Sequence, residues 1–230
     1  MSKFKILVEE SLPVKHNINF DQSPVGHTDD EEKFHQLHAP KTNNETHTNS
    51  IHGYTVASSR YNKELWGSEN NNLHQKIENV SNGLKSADPA HEDFHVYTGI
   101  NGNKNKIEKG DLHIPAFTST STSIHRAAKF VSPEKGRHTE EYHPDENGNM
   151  VKHTVHHILK IKVKKGQQVG AYIANHSNYS VENEFLINKN HTIHISGNHE
   201  DHYMPPHYSS KDNNPRIYRV HHATITPDAD

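Results

Sequence analysis

Phe117-Thr118-Ser119-Thr120-Ser121-Thr122-Ser123-Ile124-His125-Arg126-Ala127-Ala128-Lys129-Phe130 is a run of alternating hydroxyl residues that passes into a helix-forming segment. Further along, Tyr179-Ser180-Val181-Glu182-Asn183-Glu184-Phe185-Leu186-Ile187 sets two glutamates, two positions apart, immediately before an apolar run. Ser and Thr in the first stretch suit the end of a strand, and Phe185-Leu186-Ile187 in the second suits the start of one. Residues two apart on an extended chain point to the same side, so Glu182 and Glu184 are expected to face one cleft. Taken singly, a Ser/Thr run is ordinarily β propensity with surface hydroxyls, and a Glu-x-Glu pair is ordinarily a solvated edge.

Outward from these stretches, Ile51, Tyr54, Ala57, Tyr61 and Leu65 recur at steps of three or four, which predicts a helix with one buried face. Leu73, Ile77, Val80 and Leu84 repeat the rule, and Ser86-Ala87-Asp88-Pro89 ends that run. Strands are expected at 94–99, 114–120, 157–163, 168–173, 183–187, 192–196 and 217–225, each an apolar or alternating run bounded by Gly, Asn or Pro. Leu159, Ile161 and Val163 alternate with lysines, the pattern of a sheet with one wet face. Residues 131–150 and 197–215 are polar and turn-rich and read as exposed loops or a loose hairpin. Two amphipathic helices followed by short strands predict an α+β domain built on packed sheets.

The sequence has 230 residues, enough for one core of ordinary size, with 30% hydrophobic residues and a mean hydropathy of −1.00. Residues 1–49 are poor in apolar positions and are expected to form a polar, mobile tail, with the folded domain at 50–226. No run approaches the roughly 20 apolar residues that a bilayer requires, and no secretion-signal stretch is seen at the start, so a soluble protein is expected. The net charge of −3, with acids and bases intermixed, offers no broad field for nucleic acid or an anionic membrane. Cysteine is absent, which removes thiolate chemistry, disulfides and Cys-ligated metal. The 24 histidines include no HExxH and no repeated ligand spacing, so no metal site is expected. They predict instead a surface whose charge rises as pH falls through about 6.5. No GxGxxG follows a strand, which argues against a Rossmann dehydrogenase.

In this order and spacing, the two opening stretches resemble two of the three signature motifs of the arginine-directed mono-ADP-ribosyltransferases. These are a strand ending in Ser-Thr-Ser and an aromatic-x-x-Glu-x-Glu loop entering a strand. The likeness is greatest to the enzymatic components of binary actin-modifying toxins and to phage ADP-ribosyltransferases, and it covers roughly residues 51–225. It implies an ADP-ribosyltransferase-like core of two packed β-sheets preceded by amphipathic helices. It further implies NAD as co-substrate, transfer of ADP-ribose to an arginine of a target protein, and release of nicotinamide.

Such chemistry passes through an oxocarbenium-like ribose, which a carboxylate stabilises, as in glycoside hydrolysis. By resemblance that carboxylate is Glu184, oriented by Ser119. Glu182 has the spacing to orient a guanidinium acceptor and help it lose its proton, and Tyr179 is the aromatic that meets the protein substrate. The NAD-lining residues are expected to be Tyr97, Thr98, Gly99, Ser119, Thr120 and Ser121, with Phe130 a further candidate.

The third family motif ends in an arginine that clamps NAD, and here Phe94-His95-Val96-Tyr97-Thr98-Gly99 carries Thr98 at that place. A threonine brings neither charge nor a bidentate fork. Three readings stay open. Arg126 or Arg137 supplies the cation; Thr98 and the Gly99 backbone suffice; or the chain is a catalytically inactive relative that binds NAD or a partner. An NAD glycohydrolase is a further alternative.

The first ten residues, ending Leu7-Val8-Glu9-Glu10, are similar to head-targeting leaders of tailed-phage internal proteins. From this and the family likeness, a virion-carried monomer acting in the bacterial cytoplasm is expected, with host RNA polymerase or translation machinery as the acceptor.

Overall fold

The computed structural model describes residues 29–68, 72–100, 109–131, 138–145, 147–204 and 215–228. Helix α2 (Glu45–Leu65) begins at Asn44, whose side chain accepts from the Thr46 N–H, and it buries Ile51, Tyr54 and Tyr61 as the periodicity predicts. Helix α3 (His74–Lys85) buries Ile77, Val80 and Leu84. These faces meet Ala171, Ile173 and Leu186 in one apolar cluster, so the two helices cover one side of the strands that follow.

The strands are β1 (Phe94–Ile100), β2 (Gly110–Ile114), β3 (Thr118–Ser121), β4 (His138–Pro144), β5 (Met150–Val163), β6 (Gly170–Tyr172), β7 (Glu184–Ile187), β8 (His191–Met204) and β9 (Arg216–Pro227), with helix α4 (Ile124–Phe130) after β3. Among the described residues they form one hydrogen-bonded path, β2-β8-β9-β5-β1-β3-β7-β6, with β4 paired to the first half of β5. β1 and β3 join at a single residue pair, Tyr97 with Ser121. The path therefore has two parts, and they face each other across a shared core. Val96, Leu159 and Ile161 of one part pack there with Phe185 and Ile187 of the other. The α+β class and the layered strands agree with the sequence reading.

All four residues of β7 are buried, because both its faces are covered. Phe185 and Ile187 belong to the inter-sheet core, while Leu186 packs against α2 and α3. Period-2 alternation puts Glu184 on the Leu186 face, toward α2.

Several expectations change. The stretch 114–120 is two strands at different places in the sheet, β2 against β8 and β3 between β1 and β7. Pro115 lies at the break and has no N–H to give a ladder. β4 pairs with β5 inside the segment 131–150, and β8 runs on to Met204 inside 197–215. The mobile tail expected up to residue 49 is helical from Asp29, as α1 (Asp29–His38). Phe34 of α1 packs edge-on against Phe94 at 5.0 Å and Tyr172 at 5.5 Å, and α2 begins at Glu45, not at 50. The leader-like segment 1–10 lies outside the described residues.

Candidate active site

A cleft of about 450 Å³ opens where α2, the end of β1, β3 and the turn before β7 converge, a volume within the range of small-molecule sites. Tyr97, Thr98, Gly99, Ser119, Thr120, Ser121, Tyr179, Glu182 and Glu184 all line it, so one cavity gathers most of the residues selected from sequence. Arg126 lies nearby and its charge acts on Glu182. Phe130 falls in α4, and Arg137 lies outside the described residues. No lysine or arginine is among the lining residues described.

The two glutamates share the cleft, but not by the extended geometry expected of them. Ser180–Glu182 is a 3-10 turn, and Asn183 adopts a left-handed conformation at φ 49° before β7 begins at Glu184. Asparagine tolerates that conformation better than most residues. The turn is pinned at three points: the Ser121 hydroxyl donates to the Glu182 carbonyl at 2.8 Å, the Thr122 N–H to Asn183 O at 3.1 Å, and the Ile173 N–H to Glu184 O at 2.9 Å. Ser121 therefore acts on the backbone that carries the glutamates. Thr120 ties β3 to β7, its hydroxyl donating to the Phe185 carbonyl.

Glu184 is only 6% exposed. Burial pushes its carboxyl up to about 7; a hydrogen bond from Ser119 opposes the rise and the charge of Glu182 adds to it. Burial also raises Glu182, against the favourable charge of Arg126. Two carboxyls thus differ in environment within one cleft, a marker of a functional site. Tyr179 stands at the mouth, 52% exposed.

Thr98 is already committed. Its hydroxyl donates to the Ser119 carbonyl at 3.0 Å, which ties β1 to β3 beside their single ladder pair. Gly99 allows close packing of α4, since a Cβ there would meet Val131 Cγ1 at 2.3 Å.

Sequence reasoning missed Tyr54, Thr55, Val56 and Ser58, which bring α2 to the cleft. Ala57, with φ −135° and ψ 34°, breaks the helical geometry there, and the Thr55 hydroxyl accepts the Asn178 N–H at 3.3 Å. Tyr54 reads as a core position by its spacing; its phenol, which burial would leave in need of a partner, was the available signal. Among the described residues no group of three His, Asp or Glu is placed to hold a metal ion.

Comparison with known proteins bears on the family and the fold. The family model for ADP-ribosyltransferase exoenzyme matches residues 30–218. A search of curated proteins finds no match. Among solved structures, Plx2a, an ADP-ribosyltransferase toxin from Paenibacillus larvae, is 18% identical with a TM-score of 0.58, covering 86% of this chain and 95% of Plx2a. The Clostridium limosum C3 exoenzyme is 16% identical with a TM-score of 0.52, covering 90% and 97%. The ADP-ribosylating toxin BECa of a C. perfringens binary enterotoxin, solved with NADH, is 18% identical with a TM-score of 0.56, covering 85% of this chain but 46% of BECa. At these identities the likeness is one of fold.

Proposed function

Because the chain belongs to the ADP-ribosyltransferase exoenzyme family and is an NAD-dependent ADP-ribosyltransferase, we propose that it transfers ADP-ribose to an arginine of a target protein and releases nicotinamide. The observation that carries this reading is that Glu182 and Glu184 line one cleft with Ser119 beside them, while burial separates Glu184 from solvent. NAD supplies the ADP-ribosyl group and the leaving nicotinamide. Tyr97, Thr98, Gly99 and the hydroxyls of β3 are the groups that would hold it, and the cleft is of a size to take a substantial part of it.

Glu184, as the carboxylate, opposes the positive charge that develops at the ribose carbon as the bond to nicotinamide breaks. Its low-dielectric setting strengthens that effect. Glu182 receives the acceptor guanidinium, orients it by charge-assisted hydrogen bonds and takes the proton lost when nitrogen bonds to carbon. Ser119 holds Glu184 in place. Arg126, through its charge beside Glu182, and Arg137 are the candidates for the cation that Thr98 does not provide. Tyr179, exposed at the mouth, is the contact for the target protein.

In the same reading the chain acts in a bacterial host after injection with phage DNA, on RNA polymerase or translation machinery. The leader-like first ten residues support that part. Glu182→Ala tests the acceptor role. It is expected to abolish protein labelling while sparing nicotinamide release; full labelling by the variant would overturn arginine transfer, and unchanged release with no labelling by the wild type would indicate a glycohydrolase.

A further inference from the structure

Six large apolar side chains are exposed among the described residues, and two of them, Val56 and Tyr179, line the cleft. Scattered surface hydrophobics need no explanation, whereas apolar side chains gathered at one cavity mark a contact surface. Val56 is 61% exposed, so it contributes little burial to the fold. An exposed valine is also a poor choice for a helix, because β-branching restricts its side chain there.

Hydrogen bonds hold the two side chains on one frame. The Thr55 hydroxyl accepts the Asn178 N–H at 3.3 Å, so the next residues in sequence, Val56 and Tyr179, leave from either side of a single contact. The Ser177 hydroxyl accepts the Tyr179 N–H at 3.0 Å, and the Tyr179 carbonyl accepts the Glu182 N–H at 2.9 Å. The aromatic is thereby tied to the turn that carries Glu182. Helix α2 departs from helical geometry at Ala57, immediately after Val56, so it changes course where it meets the cleft. Glu182 and Glu184 line that cleft, and no lysine or arginine is among the lining residues described, which suits a cationic side chain. An arginine whose guanidinium reaches Glu182 leaves its own chain at the mouth, where its neighbours in sequence meet Val56 and the Tyr179 ring.

We infer that Val56 is a specificity-determining residue for the acceptor: with Tyr179 it grips an apolar side chain next to the target arginine. The substrate class is then an exposed segment of a protein in which the arginine has an apolar neighbour. This deepens the arginine-transfer reading and rests on it. The carboxylates select the charge of the acceptor, and the apolar pair selects what stands beside it. An aromatic ring with an aliphatic neighbour is a common anchor of protein interfaces, and here α2 supplies the aliphatic part.

The test uses the full chain, labelled NAD and two otherwise identical peptides in which a single arginine is flanked on both sides by leucine or by serine. The wild type is expected to label the leucine peptide with a kcat/KM about tenfold higher, as partial burial of an apolar side chain would give. Val56→Ser is expected to cut that ratio to about twofold, while Val56→Leu, which stays apolar, keeps it. Each enzyme is compared with itself, so any effect of the substitution on NAD handling cancels from the ratio. Val56 is exposed, so both variants are expected to fold, and their melting temperatures check it. A wild-type ratio near one, a ratio unmoved by Val56→Ser, or no label on either peptide would overturn the inference. Glu182-dependent labelling of lysate protein decides the arginine reading separately. Its presence without a peptide preference sinks the inference alone, and its absence from the wild type sinks the reading beneath it.

Discussion

Glu184 sets the pH behaviour at the residue scale. On the proposed reading the reaction requires its carboxylate, and burial has moved that group up to about 7, so nicotinamide release is expected to fall along an acid limb centred near pH 7. A release rate flat from pH 8 to 5 would contradict this. The same shift has an opposite effect on stability. A carboxyl raised from 4.5 to about 7 on folding contributes stability that is fully present below 4.5 and is lost as pH rises through 7. Glu184→Gln, a permanent mimic of the protonated form, is therefore expected to exceed the wild type by about 3 kcal/mol at pH 8 and to match it near pH 4. Thermal melts of both proteins at the two pH values measure it. That Ser119, Glu182 and Glu184 line one cleft was legible because their two motifs, in order and spacing, resemble those of the family. Tyr54 was not, because periodicity assigns a helical tyrosine to the core and says nothing about where its hydroxyl ends.

At the scale of elements, the placement of Glu184 depends on β7 and what lies against it. Gly170 of β6 admits no side chain, since a Cβ would meet the Leu186 carbonyl oxygen at 2.2 Å and Ile187 Cα at 2.8 Å. Backbone atoms cannot move aside as a flexible side chain can, so Gly170→Ala is expected to destabilise by about 3 kcal/mol, read by chemical denaturation. An unchanged midpoint would contradict the pairing of β6 with β7.

On β5 and β9, His157 and His221 stack with a 2.9 Å contact between ring nitrogens, and the Thr139 hydroxyl meets His157 at 2.9 Å. Burial, first of all, lowers both to about 4, with the Arg219 charge acting in the same direction. A histidine depressed from 6.5 contributes stability present above 6.5 and lost as pH falls toward 4. His221→Gln is expected to flatten the loss of melting temperature across that window, and an unaltered pH slope would contradict the buried neutral pair. The helices α2 and α3 and most strands were legible because their apolar period is strong. β4 was not, because Glu140, Glu141 and Tyr142 follow no apolar alternation, and the division of β2 from β3 depends on which partner each strand meets.

For the molecule as a whole, the strand path, the covering helices and the cleft serve a single arrangement, in which two sheet parts joined at Tyr97 and Ser121 leave a cavity beside their junction. The helix α1 belongs to that whole, with Phe34 inserted between Phe94 and Tyr172. Phe34 and Leu37 alone in a polar stretch are too weak a signal to reveal it in sequence. No described helix is long and apolar enough to cross a membrane. The most direct test of the central claim is incubation of the purified full chain with labelled NAD and a bacterial lysate, wild type beside Glu184→Gln. The account predicts nicotinamide release and labelled protein bands with the wild type and neither with the variant. Absence of both from the wild type, or bands that persist in Glu184→Gln, would contradict it.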